Sequence, residues 1–553
     1  MSDIHGTRPG GRILVDALRI HGVDRLFCVP GESYLDVLDA LYDTPQIAVI
    51  VAKHEGAAAN MAEADGKLTG RPGICFVTRG PGATHASVGV HTAYQDSTPM
   101  ILFVGQVPRG VRGREAFQEV EFRQMFAPLA KWVAEIESAE RIPEYLLRAF
   151  QVASSGRPGP VVLALPEDVV AEQSSAPDTG PFCRVEAAPR DAEAGAVRAE
   201  LERASQPLVI AGGSCWSDEG CAALARFVEA NRLPVLASFR RQDLIDNDHA
   251  CYAGHLSLGM PPHLQQRMKS SDLIVALGTR LGDINTMTYT LLRPSRLAAR
   301  LVHVHPDPAE LNRVYQADLA IAAAPSAAAI RLAELEPIGT PRWSAWTESA
   351  RREYEKFISV PQGGPRKGVD LAVVIRHLAA HLPRNAIIAN GAGNFTVWVH
   401  RFFTYRQPRT ELAPTSGAMG YGFPASIAAS LRHPERVTVC VAGDGDFLMY
   451  PQELATAAQY GARVIVLVVN NGMYGTIRMH QERRFPGRVS GTDLAGPDFV
   501  ALARSFGAHA ERVETTEAFA PAFERACGAG RSAVLELVMD RDQITPERRL
   551  SAS

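Results

Sequence analysis

Cysteine is scarce in this chain: eight residues in 553, with no CxxC pair and no repeated spacing. That argues against a disulfide framework and a zinc site, and it fits a reducing compartment where a buried Cys packs as a small apolar side chain. An excess of one charge is missing too. Lys and Arg number 57 against 60 Asp and Glu, for a formal net charge of -3. No basic run is longer than a pair such as Arg483-Arg484 or Arg548-Arg549, so no nucleic acid or other polyanion is expected as a partner. Long apolar runs are absent: Val464–Val469 is far too short to cross a bilayer, and no membrane association is expected. Met1–Gly11 holds no apolar core of signal-peptide length, so the expected compartment is cytoplasmic. What is present, 46% hydrophobic and 21% charged residues, is ordinary globular composition, and the length predicts about three domains.

Short apolar runs alternate with amphipathic stretches, which predicts an α/β chain with parallel sheets. The first block has runs at Arg25–Pro30, Ile47–Lys53, Gly73–Thr78, Pro99–Val107 and Pro160–Leu165, with helix-like segments Tyr34–Tyr42 and Gly56–Leu68 between them. A Ser-, Pro- and Gly-rich stretch from Glu172 to Arg190 reads as a linker. The second block has runs at Pro207–Ala211, Leu233–Ala237, Asp272–Leu277 and Leu301–His305. Pro337–Gly368 reads as a second linker carrying one surface helix. The third block has runs at Ala386–Ala389, Val437–Ala442, Val464–Asn470 and Ala533–Met539. The expected domains are therefore 1–172, 190–336 and 368–545, either as unrelated Rossmann-like units or as a repeated architecture sharing an interface site.

Gly443-Asp444-Gly445 directly follows one buried run, and Asn470-Asn471-Gly472 ends the next. Both motifs are expected at the carboxyl ends of adjacent parallel strands, where open α/β sheets bind ligands. A carboxylate, an amide oxygen and a nearby backbone oxygen are hard ligands suited to Mg²⁺, which completes its octahedron with phosphate and water. The glycines allow the backbone to approach a diphosphate closely. Each motif alone is a common turn sequence; their combination after two strands is what points to a site.

Together these motifs resemble the thiamine diphosphate (ThDP) fingerprint of the acetolactate synthase-like family, and the likeness extends over nearly the whole chain. Lys53-His54-Glu55 with Met61-Ala62-Glu63 resembles the family's segment bearing the catalytic glutamate, Gly80-Pro81-Gly82-Ala83-Thr84 its next loop, and Ser416-Gly417-Ala418-Met419-Gly420 the loop that bends the cofactor. The resemblance implies a ThDP-binding fold of three consecutive parallel-sheet α/β domains: N-terminal pyrimidine-binding, central Rossmann-like and C-terminal diphosphate-binding. It implies a homodimer or homotetramer with active sites at the subunit interface. It also implies ThDP- and Mg²⁺-dependent cleavage or joining of C–C bonds beside the carbonyl of 2-keto acids, through a C2 ylid and an enamine.

The roles carried over are specific. Glu55 would hydrogen-bond the pyrimidine nitrogen, which needs a carboxyl shielded from water, and Ala57–Ala59 and Met61 supply apolar surroundings. Met419 would wedge beneath the cofactor and Gly417 would offer its carbonyl to the 4'-amino group. Gly393 and Asn394 would contact the diphosphate at a helix start, beside Gly443, Asp444, Gly445 and Asp446. The metal ligands would be Asp444, Asn471 and the backbone oxygen of Met473.

For the substrate, Phe117-Gln118-Glu119 resembles the stretch of acetohydroxyacid synthases that sets a Phe and a Gln over the thiazolium, which makes Gln118 a catalytic candidate. Other positions depart from that enzyme: Gly56 replaces a Gln, Glu167 a channel Lys, Ile284 a flavin-side Arg, and Thr476 and His480 a Met and a Trp of the acceptor pocket. FAD is possible but not favoured, since the central block holds no GxGxxG and only Gly212-Gly213-Ser214 follows a strand. Of the cleft histidines His54, His85, His91 and His480, the expected proton carriers are His85 and His480. Glu32 and Ser33 are further candidates for substrate contact, with a carboxylate at Glu32 protonated or turned away from an anionic group. The alternatives are a 2-hydroxyacyl-CoA lyase or oxalyl-CoA-type decarboxylase, with Arg280 and His305 as contacts, and a catalytically silent ThDP-binding paralogue.

Overall fold

A computed structural model describes residues 6–361 and 363–550. It contains three six-stranded parallel sheets. The strands are β1 (Arg25–Cys28), β2 (Ala48–Val51), β3 (Gly73–Val77), β4 (Met100–Gln106), β5 (Trp132–Glu135) and β6 (Pro160–Pro166) in the first sheet. The second has β7 (Pro207–Ala211), β8 (Val235–Ala237), β9 (Tyr252–His255), β10 (Leu273–Leu277), β11 (Arg300–His305) and β12 (Leu319–Ala322). The third has β13 (Ile387–Asn390), β14 (Glu411–Leu412), β15 (Thr438–Gly443), β16 (Val464–Asn470), β17 (His509–Val513) and β18 (Ala533–Val538).

The first sheet runs β2-β1-β3-β4-β6-β5 and the third β14-β13-β15-β16-β18-β17, the same order position for position. The second runs β9-β8-β7-β10-β11-β12, the order of dinucleotide-binding sheets. A repeated architecture therefore links the first and third blocks, with a differently wound block between them.

The chain forms two compact units. One holds residues up to Val185 with Phe423–Pro434 and Met449–Val464; the other holds Glu186–Gly422, Glu435–Leu448 and Ile465 onward. In the first unit every residue of β3, β4 and β6 is buried, as expected of parallel strands covered on both faces. The helix Glu55–Thr69 is Ala-rich because it lies against the helix Gly80–Asp96 at close range. A Cβ on Gly89 would sit 2.4 Å from the Cβ of Ala59. His54 caps the first of these helices by accepting the Gly56 N–H, and Gly70, at φ 70°, ends it. Late segments cover the β2 edge: the Val51 N–H donates to Tyr460 Oη at 2.9 Å, and the Lys53 N–H donates to Glu453 at 3.0 Å. Arg432 forks onto Asp24 and Asp65.

In the second unit the middle and third sheets meet through buried polar groups. Arg240 donates to the carbonyls of Pro414 and Gly391, and Gln242 N–H donates to Glu411 at 2.6 Å. The stretch 337–368 does hold a helix, Ser344–Phe357, but it is packed into the domain core and is not the surface helix of a linker. Trp343 and Tyr354 are buried in the core of the second sheet, and Ala350 packs on its other side. From 172 to 190 the only regular element is Gln173–Ser174, paired antiparallel with Arg8–Pro9. Among the described residues no disulfide forms and no helix is long and apolar enough to cross a membrane.

Candidate active site

In the third sheet the strand order reverses between β13 and β15, and a cavity of about 260 Å³ opens at the carboxyl ends of β13, β15 and β16. Such a reversal leaves a crevice because successive crossovers leave the sheet on opposite faces. The cavity is lined by Gly393, Asn394, Gly417, Met419, Gly443, Asp444, Gly445, Asp446, Asn471 and Met473, every residue of the expected diphosphate and metal set. Two helices begin at its wall, Phe395–Phe402 and Gly475–Arg484; at the first, the Thr396 and Val397 N–H groups already donate to the Gly393 and Asn394 carbonyls.

Asp444 is buried and ties two loops together. Its Oδ1 accepts the Gly445 N–H and its Oδ2 the Gly472 N–H, each at 2.9 Å. Burial pushes its carboxyl above the ordinary value despite these hydrogen bonds, so a cation would relieve an uncompensated cost. Asp446 is buried as well, pushed up to about 7 by desolvation. Its Oδ1 accepts the Gly420 N–H at 2.8 Å and the Ala392 N–H at 3.1 Å. It joins the loop after β13 to the loop bearing Met419. A Cβ on Gly391 would lie 2.1 Å from the same oxygen, so that position excludes any side chain. Asn471 Oδ1 accepts the Met473 N–H at 3.2 Å, and Asn394 Oδ1 accepts the Thr476 hydroxyl at 2.8 Å.

In the first unit the equivalent reversal lies between β1 and β3, bridged by Ser33 Oγ and Thr78 Oγ1 at 2.8 Å. Glu55 opens the helix after β2, and its side chain is 14% exposed. His85, 30 positions on, sits against it with Nδ1 2.8 Å from Glu55 Oε2. Gln118 stands at φ 65°, its carbonyl accepting the Gly80 N–H at 3.0 Å, and the neighbouring Phe117 is 73% exposed. Arg79 is buried and pairs with both Glu32 and Glu167, and the Glu32 side chain, 66% exposed, is turned outward.

Residues 8–125, 195–332 and 391–537 match, in order, the N-terminal TPP-binding, central and C-terminal TPP-binding domains of thiamine pyrophosphate enzymes. The acetolactate synthase large subunit of Parasynechococcus marenigrum is 33% identical over 530 residues, covering 92% of this chain and 84% of that protein. A probable acetolactate synthase large subunit of Methanocaldococcus jannaschii is 32% identical over 97% of this chain and 93% of its own length. The acetolactate synthase isozyme 2 large subunit of Escherichia coli is 30% identical over 91% and 90%. The chain belongs to the ThDP-dependent, acetolactate synthase-like family.

For a member of this family the cavity's chemistry fits the cofactor's tail. It offers backbone approach at its glycines, the buried carboxylate of Asp444 and the amide of Asn471, a donor set suited to a Mg²⁺–diphosphate. A Cβ on Gly445 would press 2.6 Å from the Tyr474 ring, so the cradle depends on that glycine. Of the expected site residues, Glu55, Gln118 and His85 lie in the other compact unit from the cavity. His480 is exposed on the helix Gly475–Arg484, does not line the cavity, and accepts from Arg483 at 2.9 Å; Thr476 lines the wall instead. Tyr474, Phe395, Met539 and Gln543 also line it, without a motif to announce them.

Proposed function

We propose that this family member is a ThDP- and Mg²⁺-dependent enzyme that cleaves or joins C–C bonds beside the carbonyl of 2-keto acids. The observation that carries the proposal is the convergence of ten expected residues from four separate segments on one cavity. The domains we assign are 1–172 for the pyrimidine, 190–336 as the central domain and 368–545 for the diphosphate. Asp444, Asn471 and the Met473 carbonyl would hold the metal, with Gly393, Asn394, Gly443, Gly445 and the two helix starts facing the phosphates. Asp446 would hold the loops that carry Gly417 and Met419 in place. When bound, the cofactor supplies an acidic C2 carbon that adds to a keto group and stores the electron pair left by decarboxylation.

The chain's own task is to orient that group, exclude water and hold a proton at Glu55, which would serve the pyrimidine nitrogen. Gln118 would contact substrate, and the partner chain of a homodimer or homotetramer would complete each site. A cytoplasmic, FAD-free enzyme is the form proposed. CoA-ester chemistry is not favoured: His305, its expected contact, is buried with Nδ1 engaged by the Asp307 N–H at 3.1 Å. The test is Glu55→Gln. Turnover with pyruvate or benzoylformate should fall by about a hundredfold or more while calorimetry shows ThDP uptake retained in Mg²⁺. Full activity in that variant, or no ThDP uptake by the wild type, would overturn the proposal.

A further inference from the structure

The histidines around Glu55 form a column within one compact unit. His85 Nδ1 lies 2.8 Å from Glu55 Oε2. The His85 ring stacks on His54, with centroids 4.5 Å apart and planes 29° from parallel. His54 is itself fixed from two directions. Its Nδ1 accepts the Gly56 N–H at 3.0 Å, and its ring lies 5.2 Å from that of Tyr450. Gly56 makes this possible: a Cβ there would stand 2.4 Å from the Tyr450 hydroxyl and 3.1 Å from His54 Nδ1. The other carboxyl oxygen, Oε1, looks toward Gly82, where a Cβ would come within 3.6 Å. One oxygen of Glu55 is thus engaged and the other faces a position without a side chain.

We infer that His85 is a positioning residue acting through Glu55. It donates its Nδ1–H to Oε2, fixes the carboxyl in one orientation, and leaves Oε1 for the ligand, rather than moving protons at the substrate. The inference rests on the reading that Glu55 serves the pyrimidine ring of ThDP. Its physical basis is that a hydrogen bond from an imidazole N–H to a carboxyl oxygen is directional. A neutral imidazole's tautomer follows the partner of its other nitrogen. His54 and Tyr450 buttress the ring so that the bond need not be re-formed at each turnover. Misplacing such a group by an ångström costs on the order of a hundredfold in rate.

The test has two arms. In the full-length protein without cofactor, ¹⁵N-histidine spectra should show His85 as the Nδ1–H tautomer at neutral pH, reverting toward Nε2–H in Glu55→Ala. In the holoenzyme without substrate, exchange of the cofactor's C2 proton for deuterium should slow by about ten- to a hundredfold in His85→Ala. His85→Asn, which keeps a donor at the δ position, should restore most of that rate. Normal exchange in His85→Ala with turnover reduced would place His85 on the substrate and overturn the inference, provided Glu55→Gln still slows exchange. If Glu55→Gln leaves exchange unchanged, the reading of Glu55 fails and this role falls with it. An unshifted tautomer in Glu55→Ala would overturn the hydrogen bond itself.

Discussion

Asp444 does two jobs with one carboxylate. As an acceptor it joins the turn after β15 to the turn after β16, and in the proposed function it would be the charged member of the metal set. Asn keeps one acceptor oxygen, sets an amide NH2 against the other backbone N–H and loses the charge, so the substitution tests both roles at once. Asp444→Asn is expected to lower Mg²⁺-dependent ThDP affinity by about tenfold or more, since metal sites of this kind rely on one or two carboxylates. Its melting temperature without cofactor should fall modestly, because one of the two hydrogen bonds that join the loops is lost. Calorimetric titration beside a thermal melt checks both. Unchanged ThDP affinity in Mg²⁺ would remove Asp444 from the proposed metal set.

Glycine has opposite meanings on two helices. Gly89, on Gly80–Asp96, faces Ala59 so closely that a Cβ would also fall 2.7 Å from its backbone. Gly195, on Asp191–Arg203, is exposed with no atom within reach of an added Cβ. Gly89→Ala should therefore destabilise its unit by roughly 1–3 kcal/mol through overpacking. Gly195→Ala should stabilise its own by roughly 0.5–1 kcal/mol, because it restricts only the unfolded chain. Urea midpoints moving in opposite directions would bear this out. At the element scale the strands also divide by legibility. The runs that forecast β1, β3, β4, β6, β7, β8, β10, β11, β13, β15, β16 and β18 correspond to interior strands, where burial on both faces leaves an apolar signature, and Ile47–Lys53 forecasts the edge strand β2 as well. The strands with no forecast, β5, β9, β12, β14 and β17, are all edges of their sheets. β17, read HAERV, buries only Ala510 and Val513 and carries too little apolar sequence to announce itself.

Within the second unit, the joint between the middle and third sheets buries Asp243. Its Oδ2 accepts the N–H groups of Thr410 and Glu411 at 3.0 and 3.2 Å. Burial, and secondly the charge of Glu411, push its carboxyl from 3.8 to about 6. A raised carboxyl pKa means the folded state binds the proton more tightly than the unfolded chain. The stability it contributes is complete below about pH 4 and is lost as pH rises through about 6. Asp243→Asn should flatten the urea midpoint across that window, removing a change of roughly 3 kcal/mol. An unchanged slope would assign the titration elsewhere. For the whole molecule, the proposed partnership between copies predicts complementation. Glu55→Gln and Asp444→Ala chains, each inactive alone, should recover about a quarter of wild-type activity when co-expressed, because half of the randomly formed dimers hold one intact site. No recovery would mean that each site is built from a single chain.

The sequence by itself determined the three parallel-sheet blocks and the loops that carry Gly443-Asp444-Gly445, Asn470-Asn471 and Ser416–Gly420. These depend on local burial patterns and turn conformations that neighbouring residues impose on one another. Only the packing of distant segments settled that Asp446 would brace two loops, that Arg79 would pair with Glu32 and Glu167, and that His480 would stand clear of the cavity. It also decided that His85 would rest on Glu55 and that Tyr450 would fill the space Gly56 leaves. Such partners lie tens to hundreds of positions apart, and their meeting depends on how helices and loops pack, a quantity that no local periodicity encodes.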